Sequence, residues 1–309
     1  MQSSLSTSDF EAKFVLAEAL VGGAVSPQES GVDFCCEIHG LPFQFTCFSA
    51  QAYSFLKEHI PNLWKMISFG NDLSSVYRVN WYEPGQVGYP ESLVWDSQES
   101  PDLLERTLPG KIQVVAQRDF VAMIKGSSEI DLVTDPQQPD GFFNFLRWFI
   151  PPKLFVQNKV LFHSSGIVGE QNDVTLFIGP SGAGKTTIST FFSEAKRLGD
   201  DMNILDFSDG DLRVQPSFMG QKFFNPSFFG QSFRLRNIYW LSQSKNTFVS
   251  DMEEENRRPR LLSSFSNLAW DNFNDQDESR LFTLLNYLTK NIEFKVMHFN
   301  LTGDVQNEI

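Results

Sequence analysis

The sequence predicts an α/β fold in two parts, a smaller α+β domain over residues 1–140 and an α/β domain over residues 141–309. Three observations carry this. Val174–Ile178 is a short apolar run that feeds into a glycine-rich loop, and beyond Lys185 the apolar residues recur at helical spacing. Upstream, from about Gly31 to Lys125, strand-like and helix-like runs alternate between turn residues. Between the two parts, residues 134–141 (TDPQQPDG) form a polar, proline-rich break.

Taken in order, residues 34–38 and 43–48 flank His39-Gly40 as the arms of a hairpin. Gln51–Ile60 carries apolar residues at helical spacing and stops at Pro61. Residues 76–82 alternate as a strand, and residues 112–116 and 120–124 read as an antiparallel pair. Residues 142–150 read as a helix stopped by Pro151-Pro152, since proline lacks the N–H and crowds the preceding turn. In the second part, residues 160–163 and 174–178 have the short apolar character of buried strands. After Lys185, Ile188, Phe191, Phe192 and Ala195 fall on one helical face.

The bulk numbers bound the function. Hydrophobic content of 41% and charged content of 20% are those of a globular protein, and 31 Phe predict a ring-rich core. A net charge of −13 argues against nucleic acid and anionic membrane as partners, because phosphate contacts need clustered Lys and Arg. Cys35, Cys36 and Cys47 fit no metal-ligand spacing and read as free thiols in a reducing compartment. Met1–Asp9 has no apolar core of a signal peptide, and the greasiest stretch, residues 142–156, is too short and interrupted to span a bilayer. A soluble, cytoplasmic protein is expected. Nothing in the sequence excludes a homo-oligomer.

The chemistry starts at Gly179-Pro180-Ser181-Gly182-Ala183-Gly184-Lys185-Thr186, with Thr187 following. Glycines let a backbone turn tightly and approach phosphate oxygens with no Cβ in the way. The loop N–H groups then form a nest for anions, Lys185 reaches the β- and γ-phosphates, and the Thr186 hydroxyl ligates Mg²⁺. A chance match in a chain of this length occurs about once in a hundred, and the flanking strand and helix cut that further.

Fourteen residues beyond Lys185 comes Asp200-Asp201. One carboxylate beside such a loop can hold magnesium, and a second can accept a proton from an attacking hydroxyl. Taken alone, an Asp-Asp pair is a solvated turn; its place one helix after the loop is what points to chemistry. Asp206 competes for the role, but Ser208-Asp209-Gly210 reads as a hairpin turn with Leu212 and Val214 returning, which makes Asp206 a turn-proximal surface acid. His163 ends the strand before the loop strand, where a lone histidine is usually a core residue.

Together, Leu161-Phe162-His163-Ser164-Ser165-Gly166, Gly179 to Thr187 and Gly199-Asp200-Asp201 resemble the kinase domain of the HPr kinase family, as a divergent member. That family shares the phosphoenolpyruvate carboxykinase type of P-loop fold. The resemblance covers roughly Asn144 to Phe299, about half the chain, and includes Leu146-Arg147-Trp148. It implies ATP-dependent phosphorylation of a hydroxyl, with a serine of a protein or peptide, or a small alcohol, as acceptor. It implies that Lys185 and Thr186 hold the phosphates and Mg²⁺, that Asp200 is the base, that Asp201 serves the metal or its waters, and that His163 orients the base. The family's Glu-Ile-Arg-Gly segment is absent, and Phe233–Leu241 stands in its place. HPr itself and the reverse, phosphorylase reaction therefore do not follow from the resemblance.

Arg257-Arg258-Pro259-Arg260 concentrates positive charge after Asp251–Glu255. It reads as a self-neutralising surface loop or as a lid whose arginines clamp phosphate; Arg234 or Arg236, alternating on a strand, offers the same service. The competing function is a P-loop ATPase or nucleotide switch acting on a protein partner without a phospho-acceptor. A scaffold with an idle nucleotide site is a third reading.

Overall fold

The computed structural model describes residues 30–59, 65–66, 75–87, 103–117, 119–219, 223, 225–268, 270–300 and 305. The N-terminal stretch Met1–Asp9, Ile60 and Pro61, on which sequence expectations fell, lie outside these residues. The chain divides into two compact units, Met1–Leu146 and Arg147–Ile309.

In the first unit, β1 (Val32–Ile38) and β2 (Leu41–Cys47) pair antiparallel across His39-Gly40. Both turn residues have positive φ, 53° and 87°, which matches the twist that a two-residue hairpin needs. Helix α1 (Ala50–His59) follows. The sheet then adds β3 (Lys65–Met66), β4 (Tyr77–Tyr82), β5 (Leu104–Leu108), β6 (Ile112–Ala116), β7 (Val121–Lys125) and β8 (Glu129–Val133), in the order β3-β1-β2-β4-β8-β7-β6-β5. β8 is not evident in the sequence because its apolar run is broken by Asp131, a buried acid that pairs with Lys125 and accepts from Asn80. Rings fill the core: Trp81 stacks on Phe142 at 4.6 Å and meets Phe55 edge-on at 5.6 Å. The cysteines are free; burial pushes the Cys47 thiol up to about 12 and raises that of Cys36 as well.

Helix α2 (Pro139–Val156) does not stop at Pro151-Pro152, as the sequence suggests, but continues through them. Pro151 cannot donate to the carbonyl four residues back, which belongs to Arg147. That carbonyl instead accepts the Asn267 side-chain amide at 2.6 Å. A distant residue replaces the missing bond.

In the second unit the strands are β9 (Lys159–His163), β10 (Ser165–Val168), β11 (Asp173–Ile178), β12 (Arg197–Gly199), β13 (Met202–Asp206), β14 (Arg213–Pro216), β15 (Phe233–Gln243), β16 (Phe248–Asp251) and β17 (Glu293–Phe299). Their order is β12-β10-β11-β15-β14-β13-β9, with β17 beside β15 and β16 beside β17. β15 runs parallel to both β11 and β17. One face is covered by α3 (Lys185–Thr190), where Ile188 and Phe192 pack on Phe177, Tyr239 and Phe299. The other carries α4 (Glu254–Leu262) and α5 (Asp275–Asn291), with Leu261, Leu284 and Leu288 against Val174, Leu176 and Ile238. Asn274 and Asp277 form a reciprocal capping box that starts α5.

Two expectations need correction here. The helix after Lys185 ends at Thr190 rather than running to Ala195, which is exposed. Arg197 takes over its open carbonyls, with Nε donating to Ser189 O and Phe192 O at 3.2 and 3.1 Å. The arginines at 257–260 lie on α4 rather than in a loop or lid: Arg258 donates to Asn286 of α5, and Arg260 stacks over Trp240 at 4.7 Å. Among the described residues, no helix is long and apolar enough to cross a membrane.

Candidate functional site

The site grows from two crossings at one end of the second sheet's strands. At the first, β11 ends at Ile178 and Gly179–Gly184 turns the chain into α3. Gly182 and Gly184 have φ of 76° and 100°, left-handed values that glycine adopts without strain. A Cβ on Gly184 would also stand 2.6 Å from the Phe299 ring. The loop is braced by Ala183 N–H donating to Pro180 O at 3.1 Å. Gln243, at the end of β15, donates through Nε2 to Gly182 O at 3.1 Å.

Lys185 folds back over the loop, with Nζ donating to Gly179 O at 2.9 Å and Pro180 O at 3.2 Å. It is 7% exposed. Burial pushes its pKa below the ordinary lysine value, and the charge of Asp201 opposes that shift. A buried ammonium resting on two neutral carbonyls is an incompletely matched cation, which an anion would complete.

At the second crossing, β9 passes to β10 through Ser164 while β12 passes to β13 through Asp200 and Asp201. Ser164 N–H donates to Asp201 O at 2.9 Å, and the buried Asn203 amide donates to Ser164 O at 2.7 Å. Register then sets Met202 opposite His163. His163 Nε2 lies 3.1 Å from Asp201 Oδ1, and Arg147 Nη2 lies 2.9 Å from Asp201 Oδ2. His163 and Asp201 keep 34% and 26% of their side chains exposed.

The two acids thus separate. Asp200 is 2% exposed and its Oδ1 accepts the Phe223 N–H at 3.1 Å. The ladder sets His163 opposite Met202, and its ring nitrogen lies against Asp201, the acid expected to serve the metal, rather than being placed by this ion pair on Asp200, the expected base. Asp206 adjoins the turn as expected, accepting from Ser208 N and Oγ and from Gln215, but it is not the surface acid expected: its side chain is 12% exposed and lies 3.7 Å from Lys159. Arg234 and Arg236 stand at the start of β15, beside Asp173 rather than Ile178. That is roughly 17 Å along the strand from the loop, so neither is placed to clamp a phosphate there.

Sequence reasoning missed Arg147 and Gln243 as neighbours of the site. Arg147 had a readable signal, a lone charge in the apolar stretch 142–150 that requires a partner once buried. Gln243 had none, since its role depends on strand register. Among the described residues, no group of three or more His, Cys, Asp or Glu forms a ready-made metal cluster.

In this mixed α/β architecture the glycine loop and Lys185 lie at the same end of the strands as Asp201, His163 and Arg147. Residues 139–208 match the family model for phosphoenolpyruvate carboxykinase. The phosphoenolpyruvate carboxykinase (ATP) of Campylobacter jejuni subsp. doylei is 44% identical over 61 residues, 20% of this chain and 11% of that protein. That of Sulfurimonas denitrificans is 36% identical over 75 residues, 23% of this chain and 13% of that protein. That of Eremothecium gossypii is 30% identical over 120 residues, 38% and 21%. The matches thus span 11–21% of the length of these relatives. In this segment the chain is similar to a carboxykinase type of kinase, and these matches do not narrow it to the HPr kinase family. Arg147, His163, the loop and both aspartates all fall inside residues 139–208.

Proposed function

We propose that the protein is an ATP-dependent phosphotransferase that passes the γ-phosphoryl group to a hydroxyl, a serine of a protein or peptide or a small alcohol. The observation that carries this is the convergence of Lys185 with the Asp201–His163–Arg147 cluster: the Asp201 charge is felt at Lys185, and both belong to the segment similar to carboxykinases named for ATP. The backbone N–H groups of Gly179, Ser181, Gly182, Ala183 and Gly184 (Pro180 has none and only shapes the turn), with Lys185 and Thr187, cradle the phosphates, and Lys185 leaves its two carbonyls for them.

Magnesium prefers oxygen ligands and is commonly held by one or two carboxylates together with nucleotide phosphates. The Thr186 hydroxyl and the Asp201 carboxylate fit that preference once a triphosphate supplies the remaining oxygens. When bound, the ion neutralises charge that develops on the β- and γ-phosphates. Arg147 and His163 fix the orientation of Asp201, and His163, a third exposed, is the group positioned to take the acceptor's proton. Asp200, assigned as base by the HPr kinase resemblance, is sealed in and bonded to a backbone amide, which suits it better to shaping the crossing.

The test is labelled ATP offered to free serine, serine peptides and cell extract, with Lys185→Ala as the blank. Asp200→Asn and Asp201→Asn are compared separately; survival of full acceptor labelling in both would sink the proposed roles. The name of the matched relatives supports a second reading, phosphoryl transfer linked to phosphoenolpyruvate. Oxaloacetate added to the same assay separates the two, since only that reading yields labelled phosphoenolpyruvate.

A further inference from the structure

We propose that a second anion-binding site, separate from the loop, lies at the opposite end of the second unit's central strands and takes a compact polyvalent oxyanion. Strands β11, β14 and β15 contribute Asp173, Arg213, Arg234 and Arg236 to a cavity of about 730 Å³, with Asp211 and Tyr287 also on its wall. That volume is in the range of small-molecule sites. Its lining sets three arginines against two aspartates, in a chain whose net charge is −13.

The stronger observation is the register. Arg213 and Arg234 are directly opposite in the antiparallel β14–β15 ladder, in a cross-strand row that Asp206 of β13 and Asp173 of β11 close on either side. Opposed residues leave the sheet on one face with Cβ atoms about 4.5–5.5 Å apart, and like charges so placed destabilise the pair. Composition does not force this, since acidic residues outnumber basic ones 38 to 25. Among the described residues neither Arg213 nor Arg234 forms an ion pair, and Arg236 approaches Asp173 only to 3.7 Å.

A phosphate or carboxylate group between the two guanidinium forks turns that repulsion into two charge-assisted contacts, each capable of bidentate geometry. One such group satisfies the opposed pair. A second on the same molecule engages Arg236, which sits two residues along the same strand face as Arg234. The ligand class is therefore a small molecule with at least two anionic groups, such as a bisphosphate or a polycarboxylate. The site is roughly 17 Å along β11 from the loop, too far for one small ligand to fill both.

The experiment titrates the full chain with pyrophosphate and with citrate by calorimetry, in a Lys185→Ala background that disables the loop. The expected result is saturable binding by at least one probe, weakened tenfold or more by Arg213→Gln and by Arg234→Gln. Absence of saturable binding in Lys185→Ala, or binding indifferent to both arginine substitutions, overturns the proposal. Should a glutamine variant fail to fold, Arg234→Lys keeps the charge and loses the fork. It must weaken binding at unchanged melting temperature, and undiminished affinity there overturns the site equally.

Discussion

Asp131 in the first unit and Asp201 in the second are both strand-associated carboxylates held by a cation, yet their surroundings differ in kind. Asp131 is 4% exposed, with its oxygens taken by Lys125 and by the Asn80 amide at 2.9 Å. Asp201 keeps 26% of its side chain exposed, shares its oxygens between Arg147 and a titratable histidine, and is felt by Lys185. An ion pair by itself therefore carries no functional information. What distinguishes a working carboxylate is access together with a partner that can exchange a proton. The sealed one stitches β4, β7 and β8 together.

The sharpest way to break this comparison is to neutralise each acid in turn. Asp201→Asn is expected to lower phosphoryl transfer by about 10²–10⁴-fold with little change in urea stability. Asp131→Asn is expected to do the reverse, retaining the rate and losing about 1–3 kcal/mol, because Lys125 stays partly exposed and can rehydrate. Equal rate losses for the two variants would end the distinction.

Gly184→Ala probes the second unit alone. Its left-handed φ and the Phe299 ring predict a loss of about 2–4 kcal/mol in the denaturant midpoint, and weakened binding of a fluorescent ATP analogue. Next in size, His163→Gln should cost about 10–100-fold in rate through misorientation of Asp201. A rate equal to wild type would remove the histidine from proton transfer and leave Asp201 to act without it. The smallest effect is expected of Asn267→Ala. The Arg147 carbonyl loses its partner, at about 1–2 kcal/mol in thermal unfolding, and a modest rate decrease should accompany it as Arg147 shifts.

The loop was legible because its chemistry is local: glycine spacing, the entering strand and Lys185 are all within a dozen residues. The hairpin at His39-Gly40 and α1 were legible for the same reason. Harder features depend on partners far along the chain. The preference of His163 for Asp201 over Asp200 follows from the β9–β13 register, which adjacent aspartates in a sequence cannot reveal. The short α3 depends on Arg197 folding back over its last carbonyls. The missed strand β8 is a case of burial overriding pattern, since Asp131 reads as a surface residue until its partners are known.

One bond sets an order of events for a newly made chain. The turn of α2 around Pro151 is completed by Asn267, which lies 120 positions after Arg147. At ribosomal speeds of about 5–20 residues per second, roughly 6–24 s separate the emergence of the two residues. The glycine loop, residues 179–184, emerges within that interval, but Phe299, whose ring lies against Gly184, emerges only after Asn267. The arginine that anchors Asp201 must wait for its carbonyl to be claimed. Both the packing around the glycine loop and the anchoring of Asp201 are thus completed only when the chain has been made as far as Phe299.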